Sequence, residues 1–477
     1  IEGLVVAIRT SAIAHRPVTI RTSETGIQGN LLHLVREMCR QVSRKVVVSW
    51  VVHHFHNTKI DKIQTKPLSL YQFKFKTIYY MKKLSILLVL LLCTLTGIAQ
   101  QVTLNDVANG TYRPEGIYGI KPMLDGEHYT RISADGKKIV KYSFKTGKEV
   151  GTLFDVKTAR NHQIRSFDDY TLSPDESLIL IQTNTKPIYR RSFTAEHYIY
   201  NVRNNTLAPL SENGPQQVPL FSPDGTMIAF VRANNLYLVK LLFDNSESQI
   251  TVNGKFNEIL NGIPDWVYEE EFGFSRAFDF SSDSQMLAYI RFDERNVPMY
   301  SFPWYKGMAP SLDQYETYPG AYEYKYPMPG IDNSKVSVHT FDIKAKVTRK
   351  MDLPLDEDGY IPRIQFTKDP NALAIMTLNR HQNRFDLYLA NPRSTLCKLI
   401  LRDESEQYIK ESAYADIQFY PNHIVMMSER DGFNHLYLYT AGGNLVKQIT
   451  QGSYEVKSFL GWDEKANVFY YESNEGN

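Results

Sequence analysis

Three consecutive carboxylates occur in the segment Asp265-Trp266-Val267-Tyr268-Glu269-Glu270-Glu271-Phe272. In helical geometry successive side chains diverge by about 100°, so two neighbouring carboxylates can embrace one cation while the third points away. Clustered carboxylates repel one another unless a cation relieves them, and an ammonium ligand could do so through up to three charge-assisted hydrogen bonds. The alternative interpretation is a solvated acidic helix start, which the helix macrodipole favours.

A pair of adjacent arginines is the second candidate for chemistry, in the segment Tyr189-Arg190-Arg191-Ser192-Phe193. A guanidinium group between aromatic side chains can form a fork onto a carbonyl or a carboxylate. The same pattern also occurs in surface patches where an arginine stacks on a ring. The residues alone leave both interpretations open.

Catalytic motifs are absent from the sequence. The closest approach to a Gly-x-Ser-x-Gly nucleophile elbow is Gly273-Phe274-Ser275-Arg276-Ala277, which lacks the second glycine that the sharp turn needs. There is no His-Glu-x-x-His motif, no glycine-rich phosphate loop and no Cys-x-x-Cys pair. We therefore predict no catalytic centre, no metal and no cofactor in these 477 residues.

A degenerate repeat predicts the fold. The best copy, FSPDGTMIAFV from Phe221, reads as a tight Pro-Asp-Gly turn that enters a strand, and a second strand follows at LYLV. Further copies begin at Ile132, Leu172, Phe280, Phe366, Phe419 and Trp462. A four-stranded unit recurring every ~40–50 residues is typical of β-propeller blades. The sequence therefore predicts an all-β propeller.

The longest interval between copies suggests an insertion. Residues 299–331, between the copies at Phe280 and Phe366, are rich in Tyr, Pro and Gly, which indicates either a partner surface or loop packing. Seven copies are visible and the chain stops soon after the seventh begins. A complete propeller closes into a ring, because an open ring would leave strand edges exposed. We therefore expect the last blade to be incomplete in this sequence.

The first hundred residues contain a targeting signal. Met81-Lys82-Lys83, the apolar run 84–92 and the small residues Gly97 and Ala99 predict a signal peptide over 81–99, cleaved before Gln100. Lipidation of Cys93 is a weaker alternative, because the preceding Leu92 is bulky. Residues 1–80 precede this signal, and we interpret them as translated upstream sequence without a domain. The segment 100–477 would be the exported propeller.

Composition limits the class of partner. Residues 101–477 contain 40 basic and 48 acidic side chains and a single cysteine, Cys397. A mildly acidic body without a basic tract argues against nucleic acid as a partner. One cysteine excludes an internal disulfide in this part of the chain, so packing must stabilise it.

The acidic segment resembles the double-glutamate motif of the dipeptidyl peptidase IV family of serine exopeptidases. Residues 189–198, 280–298 and 428–438 are similar to further family patterns. The resemblance implies an eight-bladed N-terminal propeller that caps a C-terminal α/β-hydrolase domain. The catalytic triad belongs to that hydrolase domain, which is missing from this chain, and the chain alone should be inactive.

The resemblance also implies a binding site. Glu270 and Glu271 would bind the α-amino group of a peptide with a free N-terminus, and Glu269 is a further possible member. Arg190 would contact the glutamates and the substrate carbonyl, whereas Arg191 occupies a position not used in that way.

The implied protein removes N-terminal X-Pro or X-Ala dipeptides. It would be periplasmic or secreted in a Gram-negative bacterium, without a membrane span after signal cleavage, and a homodimer when full length. Two alternatives stay open at this point, namely a relative that releases tripeptides and a non-enzymatic exported propeller that serves as a binding or scaffold module.

Overall fold

The computed structural model describes Lys83 and residues 102–114, 116, 118–243, 245–305 and 319–476. The chain divides into two units, residues 1–114 and 115–477. In the first unit, helix α1 (Leu104–Ala108) begins with a capping box between Thr103 and Asp106. The predicted upstream segment 1–80 and, apart from Lys83, the predicted signal peptide lie outside the described residues.

The second unit consists of successive antiparallel sheets. The first three contain β1 (Lys121–Pro122), β2 (His128–Ile132), β3 (Lys138–Ser143) and β4 (Glu149–Asp155); β5 (Asp169–Leu172), β6 (Leu178–Pro187), β7 (Phe193–Asn201) and β8 (Thr206–Pro209); and β9 (Gln217–Phe221), β10 (Met227–Arg232), β11 (Asn235–Lys240) and β12 (Ser246–Gln249). Strands that are consecutive in sequence are neighbours in each sheet.

The fourth sheet is larger than the others. It contains β13 (Ile259–Asn261), β14 (Phe278–Phe280), β15 (Met286–Asp293), β18 (Lys335–Asp342) and β19 (Val347–Lys350), while β16 (Met299–Trp304) and β17 (Gly320–Lys325) form a separate hairpin. Both β13 and β14 pair with β15, through Ile259 with Asp293 and Phe278 with Tyr289. The edge strand of this sheet is therefore interrupted, and helix α2 (Trp266–Glu271) lies in the interruption.

The remaining strands continue the same pattern. They are β20 (Tyr360–Phe366), β21 (Leu373–Leu378), β22 (Arg384–Ala390) and β23 (Cys397–Glu404); β24 (Gln418–Phe419), β25 (His423–Ser428), β26 (His435–Thr440) and β27 (Leu445–Gln448); and β28 (Val456–Asp463) with β29 (Val468–Ser473). Helix α3 (Ser412–Ala415) precedes β24. The described residues thus contain seven blade sheets, and the seventh has two strands.

In four of the sheets a serine and an aspartate build the turn between two strands. In the third sheet Ser222 Oγ donates to Asp224 Oδ1 over 2.6 Å, and this carboxylate accepts the backbone N–H of Thr226. Ser222 Oγ also accepts the N–H of Met227, which starts the next strand. The same turn recurs at residues 133–138, 173–178 and 281–286. In the first sheet it joins the second and third strands, not the first and second.

The core lies between neighbouring sheets. In β10, Ala229 and Val231 pack into one apolar cluster, and Ile228 and Phe230 pack into another. Alternate side chains of a strand point to opposite faces, so this strand is buried on both sides and its sequence is an unbroken apolar run. The structure confirms the predicted all-β propeller and places the long insertion as the β16–β17 hairpin between β15 and β18.

Candidate functional site

Asp265 determines where helix α2 begins. Its carboxylate accepts the backbone N–H of Tyr268 over 3.0 Å and the hydroxyl hydrogen of Ser334 over 2.5 Å. The first of these contacts is an N-cap, which satisfies a backbone donor that no helical carbonyl can reach. Asp265 is buried, and this burial raises the pKa of its carboxyl group.

Aromatic packing fixes the orientation of the helix. Tyr268 and Phe272, four positions apart, share one helix face and are fully buried. The Tyr268 ring meets the ring of Phe292 at a centroid distance of 4.8 Å, and the Phe272 ring meets Tyr360 at 5.3 Å. Gly273, with a φ of 70°, follows the last turn and lets the chain leave the helix in a left-handed conformation. The acidic residues therefore project from a rigid support.

Glu269 is buried and binds a loop of the second sheet. Its Oε1 atom accepts the backbone N–H groups of Arg191 and Ser192, over 2.7 Å and 2.8 Å. In return, Nη1 of Arg191 donates to the backbone carbonyl of Glu269 over 3.0 Å. These three bonds fasten the loop between β6 and β7 to helix α2. Glu269 thus has a structural role that its position in the acidic run did not indicate.

Glu270 forms an ion pair with Arg190. The Nε atom of Arg190 lies 2.6 Å from Oε2 of Glu270, and the side chains are 73% and 13% exposed respectively. The second carboxylate oxygen, Oε1, accepts no hydrogen bond from the part of the chain that the structure describes. Because an ionised carboxylate can accept several hydrogen bonds, Glu270 keeps acceptor capacity for a ligand.

Glu271 is the exposed member of the run. Within the described residues its carboxylate takes part in no hydrogen bond and no ion pair. The pKa of Tyr414 is raised by burial, by the charge of Glu411 and by the charge of Glu271. The charge of Glu271 therefore acts on the Tyr414 hydroxyl. Both Glu270 and Glu271 therefore have carboxylate oxygens available to an external cation.

An aromatic pocket adjoins Glu270. It has a volume of about 400 Å³ and is formed by the β6–β7 loop, helix α2 and the β16–β17 hairpin. The lining residues are Ile188, Tyr189, Arg190, Trp266, Glu270, Phe302, Trp304, Tyr322 and Tyr324. Trp266 and Glu270 are four positions apart and share the helix face towards this pocket. The pocket and the ion pair are thus parts of one continuous surface.

The hairpin packs back onto the site. The rings of Tyr324 and Tyr326 lie 5.9 Å and 4.7 Å from the ring of Trp266. Of the two interpretations of the aromatic insertion, loop packing therefore holds for these two tyrosines. The opposite side of the hairpin, with Ser301 and Glu323, is exposed.

The structure brings Arg190, Glu269 and Glu270 together, and Glu271 is exposed on the same helix. Sequence reasoning missed the cap at Asp265 and the clamp on Ser192. The cap had a signal, because an aspartate directly before a helical segment is a common N-cap. The clamp had none, since its partners are 77 and 78 positions apart.

In the described ranges no three His, Cys, Asp or Glu side chains are grouped as metal ligands would be. No helix in the described part of the chain has the length and apolar character needed to cross a membrane.

Four-stranded antiparallel sheets in sequence order define a β-propeller, and its fourth sheet carries a candidate cation-binding site. Residues 173–477 match the family described as "Dipeptidyl peptidase IV (DPP IV) N-terminal region". The chain therefore belongs to the dipeptidyl peptidase IV family, and the expected resemblance is confirmed.

Relatives of known identity agree with this assignment. The chain is 32% identical to dipeptidyl peptidase 4 of Trichophyton rubrum over 325 residues, which are 65% of this chain and 40% of the relative. It is 40% identical to the crystal structure of Porphyromonas gingivalis dipeptidyl peptidase 4, with a TM-score of 0.74 over 79% of this chain and 52% of that one. A putative dipeptidyl aminopeptidase IV from Bacteroides ovatus, 20% identical, shares the fold with a TM-score of 0.58 over 75% of this chain and 50% of that one. The chain thus spans about half or less of the length of these relatives.

Proposed function

We propose that this chain is the substrate-selecting propeller of an exported serine dipeptidyl peptidase that removes X-Pro or X-Ala dipeptides. The observation that carries the proposal is the pair of available carboxylates at Glu270 and Glu271, one of them oriented by Arg190. The triad would be supplied by a C-terminal hydrolase domain, as the family resemblance implies, so the chain by itself should be inactive.

The charges of the site suit a protonated α-amine. Glu269 is satisfied by two backbone N–H groups, and Arg190 balances one of the two remaining carboxylates. Glu270, Glu271 and Arg190 together carry one net negative charge, which a single ammonium group would neutralise. The ammonium group offers three N–H donors, enough to reach both Glu270 and Glu271.

Arg190 would have two tasks in substrate binding. Its Nε atom is used by Glu270, while the remaining guanidinium N–H groups project from a side chain that is 73% exposed. These groups can donate to the first carbonyl oxygen of a peptide whose amine lies on the glutamates. A substrate bound at its amine and at its first carbonyl would have a fixed number of residues between its N-terminus and the nucleophile.

The experiment measures kcat/KM for Gly-Pro-p-nitroanilide with the protein that includes its hydrolase domain. Glu270→Ala and Glu271→Ala should each lower kcat/KM by about 10²- to 10³-fold, because the substrate charge would lose a partner in a partly desolvated site. Glu323→Ala, on the exposed side of the hairpin, is the matched control and should behave as the wild type. An N-acetylated substrate, which has no ammonium group, should be poor for every variant.

Product analysis separates the alternatives. Release of dipeptides supports the proposal, whereas release of tripeptides from longer peptides would assign the chain to a tripeptide-releasing relative. If the wild-type protein cleaves neither, the propeller is a binding module. Near wild-type cleavage by both Glu→Ala variants would show that the acidic run is a solvated helix segment.

A further inference from the structure

Glu270 and Glu271 differ in what orients their carboxylates. The carboxylate of Glu270 is held by its ion pair with Arg190, over 2.6 Å. Glu271 is exposed, and its carboxylate has no hydrogen bond and no ion pair within the described residues, so its side chain can take several rotamers. A side chain that loses rotamer freedom when it binds a ligand weakens the binding. The amine site therefore has one oriented carboxylate and one that still needs an orienting group.

Helix α3 contacts helix α2 beside Glu271. The ring of Tyr414 meets the ring of Phe272, the residue that follows Glu271, at a centroid distance of 5.9 Å and an interplanar angle of 73°. Oε1 of Glu411 lies 2.9 Å from the position that a Cβ atom on Gly273 would occupy, so a glycine at this position permits the close approach. The end of helix α2 and the start of helix α3 are thus packed directly against each other.

The Tyr414 hydroxyl is a donor without a partner in the described part of the chain. The residue is buried, with 3% of its surface exposed, and a buried phenol normally donates its hydrogen to an acceptor. Burial and the charges of Glu411 and Glu271 raise the pKa of Tyr414, whereas the charge of Arg363 lowers it. The hydroxyl therefore keeps its proton at neutral pH, and the acceptors near it are two carboxylates.

Of these two carboxylates, Glu411 already faces a cation. Its Oε1 atom lies 3.9 Å from Nη2 of Arg363, and the guanidinium group of Arg363 stacks on the ring of Phe274 at 4.7 Å. Glu271 has no such cation among the residues that the structure describes. A donated hydrogen bond would therefore stabilise the carboxylate of Glu271 more than that of Glu411.

A second tyrosine on Phe272 provides a comparison within the same aromatic contact. The ring of Tyr360 meets the ring of Phe272 at 5.3 Å, and Tyr360 is also buried. Its hydroxyl accepts a hydrogen bond from Nδ2 of Asn333 over 2.8 Å. Both tyrosines support Phe272, but of the two only Tyr414 places its hydroxyl within the electrostatic influence of the acidic run.

Resting on the proposed function, we propose that Tyr414 is a positioning residue of the amine site, whose hydroxyl donates to the carboxylate of Glu271 when the ligand is bound. Tyr414 then orients Glu271 as Arg190 orients Glu270. Each carboxylate of the site has one donor from a distant part of the chain. The hydroxyl acts on the affinity for the amine and not on the chemical step.

The test measures kcat and KM for Gly-Pro-p-nitroanilide with the protein that includes its hydrolase domain. Tyr414→Phe should raise KM about 5- to 30-fold and change kcat by less than about twofold, because it removes a hydrogen bond to a charged group that the ground state and the transition state share. Its Tm should equal that of the wild type, since the ring keeps its contact with Phe272. Tyr360→Phe, which loses a hydroxyl from the same aromatic contact, should keep the wild-type KM.

Double variants determine which carboxylate the hydroxyl serves. In a Glu271→Ala background, Tyr414→Phe should lower kcat/KM by less than about twofold, because its acceptor is already gone. In a Glu411→Gln background the full effect of Tyr414→Phe on KM should persist. The opposite pattern, with the effect retained in Glu271→Ala and lost in Glu411→Gln, would assign the hydroxyl to Glu411 and overturn the proposal.

Failure of this proposal differs from failure of the proposed function. If Glu271→Ala lowers kcat/KM as expected while Tyr414→Phe keeps the wild-type KM, Tyr414 has no positioning role and the proposed function stands. Equal changes in KM for Tyr414→Phe and Tyr360→Phe would show a packing effect and would also overturn the positioning role. If Glu271→Ala cleaves Gly-Pro-p-nitroanilide with the wild-type kcat/KM, Glu271 does not bind the amine and both proposals fail.

Discussion

The Nε atom of Arg190 lies 2.6 Å from Oε2 of Glu270, across eighty positions of sequence. The two residues come from different sheets, because Arg190 lies in a loop of the second sheet and Glu270 in a helix inserted into the fourth. Glu269 brings them together, because its buried carboxylate fastens the backbone of that loop to the helix. The ion pair therefore depends on a clamp that does not contact the proposed ligand.

Arg190 and Arg191 should differ sharply when each is replaced by alanine. Arg190→Ala removes the partner of Glu270, and we expect kcat/KM for Gly-Pro substrates to fall by about 10- to 100-fold. Arg191→Ala removes one hydrogen bond to the Glu269 carbonyl but leaves the backbone N–H groups in place, so kcat/KM should change by less than about threefold. Steady-state kinetics on both variants checks this, and equal losses would contradict the assignment.

Glu269 should matter for stability more than its neighbours. Glu269→Ala leaves the partly buried backbone N–H groups of Arg191 and Ser192 without their acceptor, at a cost of about 1–3 kcal/mol in the free energy of unfolding. Thermal denaturation measures the effect as a lower Tm. Glu271→Ala is the matched control in the same helix and should stay within about 0.5 kcal/mol of the wild type, because Glu271 is exposed. Similar Tm shifts for both would count against the clamp.

Asp265 should be replaceable by asparagine but not by alanine. Asp265→Ala removes the N-cap of helix α2 and leaves Ser334 without its acceptor, so we expect a loss of about 1–3 kcal/mol in the free energy of unfolding. Asparagine can accept from the Tyr268 N–H and still bond to Ser334, and should recover most of this loss. Urea denaturation of the three proteins checks the order, and an asparagine variant as unstable as the alanine variant would contradict it.

Glu294 should make the stability depend on pH. It is buried, and desolvation raises its pKa from 4.5 to about 7. The charges of Asp265 and Asp293 also raise this pKa, whereas the charge of Lys325 lowers it. Between pH 4.5 and pH 7 the unfolded chain has lost this proton while the folded protein retains it. The folded state binds more protons in that window, so this contribution to stability is complete below pH 4.5 and is lost as the pH rises to 7.

The measurement is the free energy of unfolding at pH 4.5 and pH 7. The wild type should lose up to about 3 kcal/mol across this window through Glu294, which Glu294→Gln should not lose, since the amide does not ionise. The difference between the two proteins isolates this group from other titrating residues. Glu323→Gln, at an exposed position, should lose as much free energy of unfolding between pH 4.5 and pH 7 as the wild type. Parallel pH profiles for wild type and Glu294→Gln would contradict the prediction.

Local patterns in the sequence determined much of the fold. The turn of Ser222 and Asp224 closes through hydrogen bonds within five residues, and the degenerate repeat that contains it predicted a series of similar sheets. The apolar run of β10 predicted a strand, and the structure shows that this strand is buried on both sides. The start of helix α2 was likewise local, because Asp265 caps a backbone group only three positions away. Turns, strands and caps of this kind can be read from sequence because all their partners lie close together along the chain.

The division of roles within the acidic run was decided only by the tertiary structure. Glu269, Glu270 and Glu271 are chemically identical, yet one is a buried clamp, one is paired with Arg190 and one is exposed. The aromatic pocket is also a product of packing, since its walls come from three separate segments of the chain. The sequence determined that a cation could bind here. Long-range contacts decide which carboxylates remain free for it, because each backbone N–H group or guanidinium group that reaches the helix occupies a carboxylate oxygen of the site.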